Sequence, residues 1–369
     1  MKLNKAYKFR LYPNKKQSIL LNKTIGCARF IYNQMLADKI KHYEKTKEKL
    51  KNTPAQYKKE FEWLKEVDSL ALANSQQNLK TAYNNFFRNP KKVGFPKFKS
   101  KRETKKSYTT NNQKGSIRLS KDKRKLKLPK VGFIKVVAHR KINKKETIKS
   151  CTITQKPSGK YYVSILVEFE LEIKQKEITE ESQVLGLDFS MSNFYHSSED
   201  KKANYPKYYR ESLEKLAKLQ RSLSRKVKGS QNYKKQKIKV AKLHEKIANQ
   251  RKDFLHKESR KLVNQYTAIV IEDLDMKAMS QCLNFGKSVH DNGWGVFINL
   301  LKYKLEWEGK QLIKIDKWYP SSKTCSHCGT KKKLKLSDRV YECDNCDLVI
   351  DRDYNASLNI KRVGIAQLA

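Results

Sequence analysis

The N-terminal part of the chain shows two hydrophobic periodicities in succession. KAYKFRLYP, residues 5–13, alternates polar and apolar positions up to Pro13 and predicts a short β-strand. Asn14 and Gln17 then have the spacing of a capping box, a common start of a helix. Apolar residues recur at helical spacing behind this cap, and again over about 69–88. A strand followed by two helices that pack together is therefore expected.

The next segment, residues 91–171, is rich in turns, strongly basic and only intermittently apolar. Short strands are predicted near 116–119, 125–128 and 132–138. Residues 150–172, SCTITQKPSGKYYVSILVEFELE, alternate on both sides of a Pro-Ser-Gly turn and predict a hairpin. Together with the first strand, these segments predict a small basic β-domain that a helical insert interrupts.

The second half of the chain alternates strand and helix patterns after a polar, acidic stretch at 172–183, which is typical of a linker. Continuous apolar runs predict buried strands at 184–190 and 267–274, and a third strand is predicted at 311–319. Between them lie two long basic helices over 211–265, broken near Gly229 and Ser230, and an amphipathic helix over 294–308. Strands alternating with helices predict an α/β sheet.

The charge of the chain indicates which class of partner it binds. Of the 369 residues, 82 are Lys or Arg and 37 are Asp or Glu, which leaves a formal net charge of +45. Such self-repulsion disfavours a compact state unless a polyanion neutralises it, and nucleic acid is the expected partner. The 19 Tyr, 14 Phe and 4 Trp are mostly core residues by expectation, although some could stack on unpaired bases.

The hydropathy pattern gives no membrane segment. No run approaches the roughly 20 apolar residues of a spanning helix, and the N-terminus MKLNKAYKFRLYP has no apolar signal region. A cytoplasmic protein without a membrane partner, associated with the nucleoid when it binds DNA, is expected.

Three carboxylates lie where the pattern predicts burial. Asp188 ends the strand VLGLD, Glu272 ends AIVIE, and Asp353 lies at the start of a predicted helix, DYNASLNI. Carboxylates at the carboxyl ends of sheet strands lie where open α/β folds place their sites. If the three converge, they suit Mg²⁺, and a pair of such ions supports phosphodiester hydrolysis. Each carboxylate alone is better explained as a solvated strand end.

Four of the seven cysteines form two C-x-x-C pairs, Cys325 with Cys328 and Cys343 with Cys346. The spacing, C-x2-C-x14-C-x2-C, is typical of a closed structural zinc site with four sulfur ligands, and a redox motif is the alternative. The other three, Cys27, Cys151 and Cys282, are expected to be ordinary buried thiols. His256 and His327 are expected to be bystanders rather than ligands.

Several motifs, in this order, resemble the TnpB (OrfB) family of insertion-sequence proteins, which is related to the type V CRISPR effectors. They are KFRLYPNKKQ, GFPKFKSK, GLD, LQRSLSRK, LHKESRKLV, VIEDLDMKAM, WYPSSKTCSHCG, CDNC and DRDYNASLNI. The resemblance covers essentially the whole chain.

The resemblance implies a RuvC nuclease domain of the RNase H fold with an inserted zinc ribbon, preceded by a wedge-like β-barrel with a helical recognition insert. The implied divisions are a barrel over 1–13 and 91–171, a recognition insert over 14–90, a linker over 172–183, a RuvC domain over 184–320 and 347–369, and a zinc ribbon over 321–346.

The resemblance also implies an activity, an RNA-guided DNA endonuclease, and its site. The catalytic triad would be Asp188, Glu272 and Asp353 with Mg²⁺, and Zn²⁺ would bind the four paired cysteines. Asp353 rather than Asp351 takes the third place because it stands two residues before Asn355. The implied partners are a guide RNA and double-stranded and single-stranded target DNA, in a monomeric ribonucleoprotein.

One departure and two alternatives stay open. Ser190 stands where the family commonly has Gly, which puts activity in doubt. A transposase that joins DNA ends and a catalytically silent RNA-guided repressor are the competing functions. Asp351 is expected either to support the site or to start the helix.

Two basic segments are expected to contact nucleic acid, each with a solvated face as the alternative. The first is the helical region 211–265, with Arg221, Arg225 and Lys226 along the path of the nucleic acid. The second is the ribbon loop KKKLKLSDR, residues 331–339.

Overall fold

The computed structural model describes residues 1–102, 105–281, 286, 291–335 and 337–368. These residues separate into two compact units, Met1–Leu171 and Glu172–Ala369. Each unit has its own main sheet and its own hydrophobic core.

The first unit contains a seven-stranded antiparallel sheet in the described residues. Its strands are β1 Lys2–Tyr12, β2 Ser107–Asn111, β3 Arg118–Leu119, β4 Lys125–Leu128, β5 Gly132–Val137, β6 Thr147–Gln155 and β7 Tyr161–Glu170. Their order is β2-β6-β7-β1-β5-β4-β3, so the predicted strands and hairpin are confirmed. The end strands β2 and β3 do not pair in the described part of the unit, so the barrel that was predicted is seen as a half-barrel. With two residues, β3 offers too short an edge for closure.

Three helices lie between β1 and β2. They are α1 Lys15–Thr46, α2 Pro54–Glu60 and α3 Ser69–Arg88. The predicted capping box is confirmed, because Asn14 and Gln17 exchange hydrogen bonds at the start of α1. Buried Ile31 and Met35 of α1 pack with Leu72 and Leu79 of α3 in one core cluster, as the periodicity predicted.

The second unit contains a four-stranded sheet and a small two-stranded sheet in its described part. The strands are β8 Val184–Ser190, β9 Phe194–Ser197, β10 Ala268–Glu272, β11 Gln311–Ile315, β12 Val340–Glu342 and β13 Val349–Asp351. The main order is β11-β10-β8-β9, with β8, β10 and β11 parallel and β9 antiparallel. The three predicted strands are confirmed. Strands β8 and β10 are largely buried, whereas most of β11 is exposed or half-buried. Strand β9 is too short to show a periodicity and was missed.

Six helices of this unit are described: α4 Tyr208–Glu211, α5 Leu213–Ser224, α6 Gln231–Gln265, α7 Met276–Gln281, α8 Trp294–Trp307 and α9 Arg352–Ala366. The predicted break is confirmed. Gly229 has a φ of +91°, and Ser230 caps α6 by accepting the Tyr233 N–H at 3.1 Å. Along the described part of the chain, none of the helices has the length and apolarity needed to cross a bilayer.

The main sheet of the second unit is covered on both faces. Leu187 and Ile271 belong to a core cluster that also contains Leu262 of α6 and Leu301 of α8. The opposite face contributes Val184, Ala268 and Val270 to a cluster with Ile360 of α9. This two-sided burial explains why β8 and β10 are continuous apolar runs rather than alternating ones.

Candidate carboxylate site and metal centre

Strand alternation places two of the three carboxylates on the α9 face of the sheet. Successive side chains of a strand point to opposite faces, so Asp188 shares a face with Val184, and Glu272 with Val270. The strands are parallel, with Leu187 opposite Ile271, and Asp188 and Glu272 each follow by one residue. Both carboxylates therefore lie side by side at the carboxyl edge of the sheet.

The third carboxylate arrives from the small sheet. Strand β13 ends at Asp351, and α9 begins at the next residue. Asp351 is the N-cap, because its Oδ1 accepts the N–H groups of Asp353 at 2.9 Å and Tyr354 at 3.1 Å. Of the two roles expected for Asp351, the helix start is confirmed. Asp353 then lies in the first turn of α9.

The electrostatics of the three groups are coupled. Burial raises the pKa of Asp188 well above its usual value, and the negative charges of Glu272 and Asp353 raise it further. Burial also raises the pKa of Glu272, which a hydrogen bond donated by Ser321 Oγ at 2.5 Å partly offsets. Asp353 is half-buried and lies 3.4 Å from Arg352 Nη2. The arrangement concentrates negative charge at one sheet edge.

A concentration of ionisable oxygens is what a hard divalent cation neutralises. The raised pKa of Asp188 reflects burial first and repulsion from Glu272 and Asp353 second, and a bound cation would relieve the repulsion. We looked for groups of three or more Asp, Glu, His or Cys side chains whose ligand atoms all lie within 4.8 Å of one another. In the described residues, only the four paired cysteines form such a group. The oxygens of the three carboxylates do not form a group this tight.

Close packing of α9 on the sheet depends on Gly186. A Cβ at this position would lie 2.2 Å from the backbone oxygen of Ser357 and 2.8 Å from the backbone nitrogen of Lys361. Because backbone atoms cannot rotate away, any larger residue pushes α9 off the strand that carries Asp188. Gly186 thus sets the distance between Asp353 and the other two carboxylates. The sequence offered it only as part of a motif.

We expect Gly186→Ala to lower the free energy of unfolding by at least about 2–3 kcal/mol, because the added methyl group overpacks a backbone contact. Chemical denaturation measures the change. Gly26→Ala is the matched control: Gly26 lies inside α1 with nothing within 4 Å of the added Cβ, so alanine should stabilise by up to about 1 kcal/mol. Equal stabilities for the two variants would contradict the role given to Gly186.

The four paired cysteines converge. Their ligand atoms all lie within 4.8 Å of one another, with Sγ–Sγ distances of 3.6 Å for Cys325 and Cys346 and 3.5 Å for Cys328 and Cys343. Four thiolates around Zn²⁺ at about 2.3 Å would be separated by about 3.8 Å. The geometry and the donor set therefore fit a structural Zn²⁺ with no open coordination position.

Two knuckle turns and a hairpin form the scaffold of the cysteine site. Gly329 follows the first pair with a φ of +82°, a conformation that favours glycine. Hydrogen bonding with the Thr330 side chain and backbone lowers the pKa of the Cys328 thiol to about 5, which favours the thiolate that a metal binds. Tyr341 of β12 is fully buried and donates its hydroxyl to Thr330 O at 2.9 Å.

Two asparagines join this metal centre to the carboxylate helix. Asn355 donates to Thr324 O at 2.8 Å and accepts the Ser326 N–H at 2.9 Å. Asn359, one turn later, donates to Ser321 O at 2.9 Å and to Thr324 O at 2.6 Å. Both side chains are fully buried. They hold the segment leading into Cys325 against α9, and with it Ser321, the partner of Glu272.

Sequence reasoning missed these positioning roles. A signal existed, because Asn355 and Asn359 are spaced i, i+4 on a predicted helix, and polar side chains on the apolar face of a helix require partners. The partners could not be named, since they lie on a distant segment whose only regular structure is the short 3-10 helix Ser321–Lys323.

Other predicted residues have simpler surroundings. Ser190 is buried, its Oγ lies 3.0 Å from Ser192 Oγ, and it is not among the described residues with positive φ, so its backbone does not require glycine. Cys27 and Cys151 are buried thiols, as expected, and Cys282 lies outside the described residues. His327 is not among the grouped metal-ligand atoms.

Helices α5 and α6 form a helical hairpin, and the three basic residues predicted to contact nucleic acid lie near the turn between them. Arg221 is on α5, Arg225 is the C-cap of that helix, and both are exposed, while Lys226 is half-buried. The hairpin is held together by the buried side chains of Leu216, Leu243 and Ile247.

Comparison with known folds defines the class of the protein first. The fold is similar to that of the protein chain in a solved "Cas12f1-sgRNA-target DNA complex", with a TM-score of 0.60 at 12% identity, over 98% of this chain and 99% of that one. A family model described as "Cas12f1-like, TNB domain" matches residues 294–360, which include the four cysteines. The chain thus has a fold similar to that of the compact Cas12f1 protein.

Sequence comparison then shows the family. Models described as "Probable transposase" and "Helix-turn-helix domain", both of the OrfB group, match residues 164–283 and 1–48, although the latter segment is here one strand and one long helix. The chain is 32% identical to a "Putative RNA-guided DNA endonuclease" of Streptomyces pristinaespiralis, over 100% of this chain and 91% of that protein. It is 31% identical to the "Putative RNA-guided DNA endonuclease InsQ" of Escherichia coli K12, over 100% and 94%. The chain belongs to the TnpB (OrfB) family.

Proposed function

We propose that this protein is an RNA-guided DNA endonuclease of an insertion sequence, which hydrolyses phosphodiester bonds at Asp188, Glu272 and Asp353. The observation that carries the proposal is the position of Asp188 and Glu272 side by side at the carboxyl edge of the sheet, on the face covered by α9, whose first turn contains Asp353. Burial and the charges of the other two carboxylates raise the pKa of Asp188, which supports the same assignment. The names of the two relatives support the same activity.

The three carboxylates would hold Mg²⁺ through their oxygens. Bound Mg²⁺ supplies activation of a water and stabilisation of the leaving oxygen. Ser321 orients Glu272 through its hydrogen bond, and Asp351 orients Asp353 by capping α9. The four cysteines would hold Zn²⁺ in a purely structural role, because a closed sulfur site leaves no position for substrate.

We assign the domains on the same basis. Residues 1–13 and 91–171 would be the wedge, 14–90 the recognition insert, 184–320 and 347–369 the RuvC domain, and 321–346 the zinc ribbon, after a linker over 172–183. The strand order β11-β10-β8-β9 supports an RNase H-like arrangement. The net charge of +45 supports a guide RNA and target DNA as partners. The protein would act as a monomeric ribonucleoprotein in the cytoplasm, on nucleoid DNA.

The test is to express the protein with the DNA that flanks its gene, purify it and sequence the RNA that copurifies. We expect a defined RNA from the element end. Mg²⁺-dependent cleavage should then follow complementarity to that RNA beside a short duplex motif. Cleavage without bound RNA, at sites unrelated to any guide, would overturn the proposal.

The family description "Probable transposase" favours a second candidate, a strand transferase that uses the same carboxylates. It predicts joined products when the ends of the element are supplied. Cut products without joining exclude this candidate.

Neutralising the turn of the helical hairpin tests its contact with nucleic acid. We expect the triple variant Arg221→Gln, Arg225→Gln, Lys226→Gln to reduce the slope of log affinity against log salt by about 2–3 on duplex DNA, since each phosphate contact contributes about 0.9. Salt titration of DNA binding measures the slope. Lys257→Gln is the control, because Lys257 is exposed on α6 but paired with Asp253 at 2.7 Å. An unchanged slope in the triple variant would favour a solvated face.

A further inference from the structure

Trp318 is the most exposed large apolar side chain among the residues that the structure describes, with 80% of its surface accessible. It follows β11 at the carboxyl edge of the second unit's sheet, the edge that carries Asp188 and Glu272. Neither the sequence motifs nor the carboxylate site assign it a role. The exposed face of an indole offers a planar surface on which an aromatic ligand can stack.

The loop that carries Trp318 is ordered by its own hydrogen bonds. Asp316 Oδ1 accepts the backbone N–H of Trp318 at 2.7 Å, and Asp316 O accepts the backbone N–H of Tyr319 at 3.1 Å. Tyr319, the next residue, packs against the core cluster under α9. One aromatic side chain therefore anchors the loop while its neighbour is presented to solvent. A loop whose backbone is already ordered loses little conformational entropy when a ligand binds to it.

The loop lies beside the carboxylates. Ile315, three residues before Trp318, is the register partner of Glu272. Ser321, three residues after it, donates to Glu272 Oε1 at 2.5 Å. Because consecutive Cα atoms are about 3.8 Å apart, the Cα of Trp318 lies within about 11 Å of the Cα of either residue. A strand bound at the carboxylates would pass within a nucleotide or two of the indole.

One basic side chain lies against the ring. Lys317 Nζ lies 4.8 Å from the centroid of the Trp318 ring and would meet a phosphate beside a stacked base. The acidic neighbours are already engaged: Asp273 pairs with Lys314 at 2.6 Å, and Asp275 accepts the N–H groups of Lys277 and Ala278. Asp316 accepts the Trp318 N–H, as described above.

We propose that Trp318, with Lys317, forms a stacking subsite for an unpaired nucleobase of the DNA strand that enters the carboxylate site. The base must be unpaired and splayed from its neighbours, because the faces of bases in a duplex are already covered by stacking. This inference rests on the proposed function for its substrate. The subsite positions the strand and takes no part in the bond-breaking step.

Binding of two oligonucleotides tests the subsite without any cleavage. The ribonucleoprotein is titrated, without added Mg²⁺, with a labelled oligodeoxythymidylate of 12 nucleotides and with an oligonucleotide of equal length made of abasic residues. We expect Trp318→Ala to bind the thymidylate roughly 5- to 100-fold more weakly, the usual range for one stacked base, with unchanged affinity for the abasic strand. Trp318→Phe should retain most of the preference.

Two further variants distinguish base stacking from general apolar contact. Trp318→Leu keeps an apolar side chain without a ring, so it should behave like alanine; if it behaves like tryptophan, the site is an apolar docking surface and the proposal is wrong. Val296→Ala truncates another exposed side chain of the same unit, 50% accessible and on α8, and should leave both affinities unchanged. Equal loss of both affinities in Trp318→Ala would also overturn the proposal.

Photocrosslinking locates the base. An oligonucleotide with 5-iododeoxyuridine in place of thymidine should crosslink to the tryptic peptide Trp318–Lys323, which Lys317 and Lys323 delimit. A crosslink confined to other peptides would contradict the inference. If the oligonucleotide crosslinked at Trp318 but the protein cleaved no guided target, the stacking subsite would stand and the proposed nuclease function would be wrong. The failure of one proposal is therefore distinguishable from the failure of the other.

Discussion

Asp188→Asn is expected to abolish guided DNA cleavage, with a rate at least about a thousandfold below that of the parent protein, and to leave guide RNA and target binding intact. The amide has nearly the shape of the carboxylate but cannot supply its charge to a divalent cation. Asp353→Asn should have a similar effect, since Asp353 faces the same sheet edge. Single-turnover cleavage and filter binding of the same preparations measure the two quantities.

Asp351→Asn is the matched control for these variants. Asp351 is two residues from Asp353, but the structure gives it the N-cap of α9, a role that asparagine performs equally well. We therefore expect this variant to keep most of its activity. If Asp351→Asn abolished cleavage while Asp353→Asn remained active, the assignment of Asp353 as the third carboxylate of the site would be wrong.

The stability of Asp188→Asn should change in the opposite direction to its activity. The pKa of Asp188 is raised in the folded state, so the folded protein loses stability as pH rises from the usual aspartate value, about 4, through the raised value. Asparagine removes this loss. In buffer free of divalent cations at neutral pH, the variant should unfold at a higher temperature than the parent. A lower unfolding temperature would contradict the electrostatic coupling of the three carboxylates.

Cys343→Ser is expected to reduce bound zinc from one ion per chain to nearly none, to expose residues 321–351 to protease, and to remove cleavage activity. Structural zinc contributes about 10–16 kcal/mol of apparent binding free energy in small zinc modules, so loss of one thiolate unfolds the local hairpin. Activity should follow, because Asn355 and Asn359 bind the segment that enters this hairpin and Ser321 lies within it. Metal analysis, limited proteolysis and cleavage assays measure the three effects.

Cys27→Ala is the control for this variant. Cys27 is a buried cysteine of α1, outside the ribbon, and its loss should leave zinc content unchanged. A Cys343→Ser protein that still binds one zinc per chain would mean that the four cysteines are not the zinc site. A protein that loses zinc but cleaves at the normal rate would mean that the metal centre does not support the carboxylates.

Local patterns sufficed for most elements. The capping box of Asn14 and Gln17, the break at Gly229 and Ser230 and the buried runs of β8 and β10 all depend on residues near one another in the chain. The short strands β2 and β9 were missed because each is held by pairing with a strand distant in sequence or by burial rather than by its own periodicity. Whether the first unit's sheet closes likewise depends on pairing between its end strands β2 and β3.

The amino-acid sequence by itself determined the kinds of residue available for the site: three acidic residues at element ends, two cysteine pairs at zinc spacing, and a surplus of positive charge. Their chemistry is a local property, so it could be identified without coordinates. Only the tertiary structure decided that Asp188 and Glu272 share a face, that Gly186 admits α9 beside them, and that two asparagines link the metal centre to Asp353. These contacts join segments far apart in the chain, and strand order and helix packing, which bring such segments together, are not encoded in any local pattern.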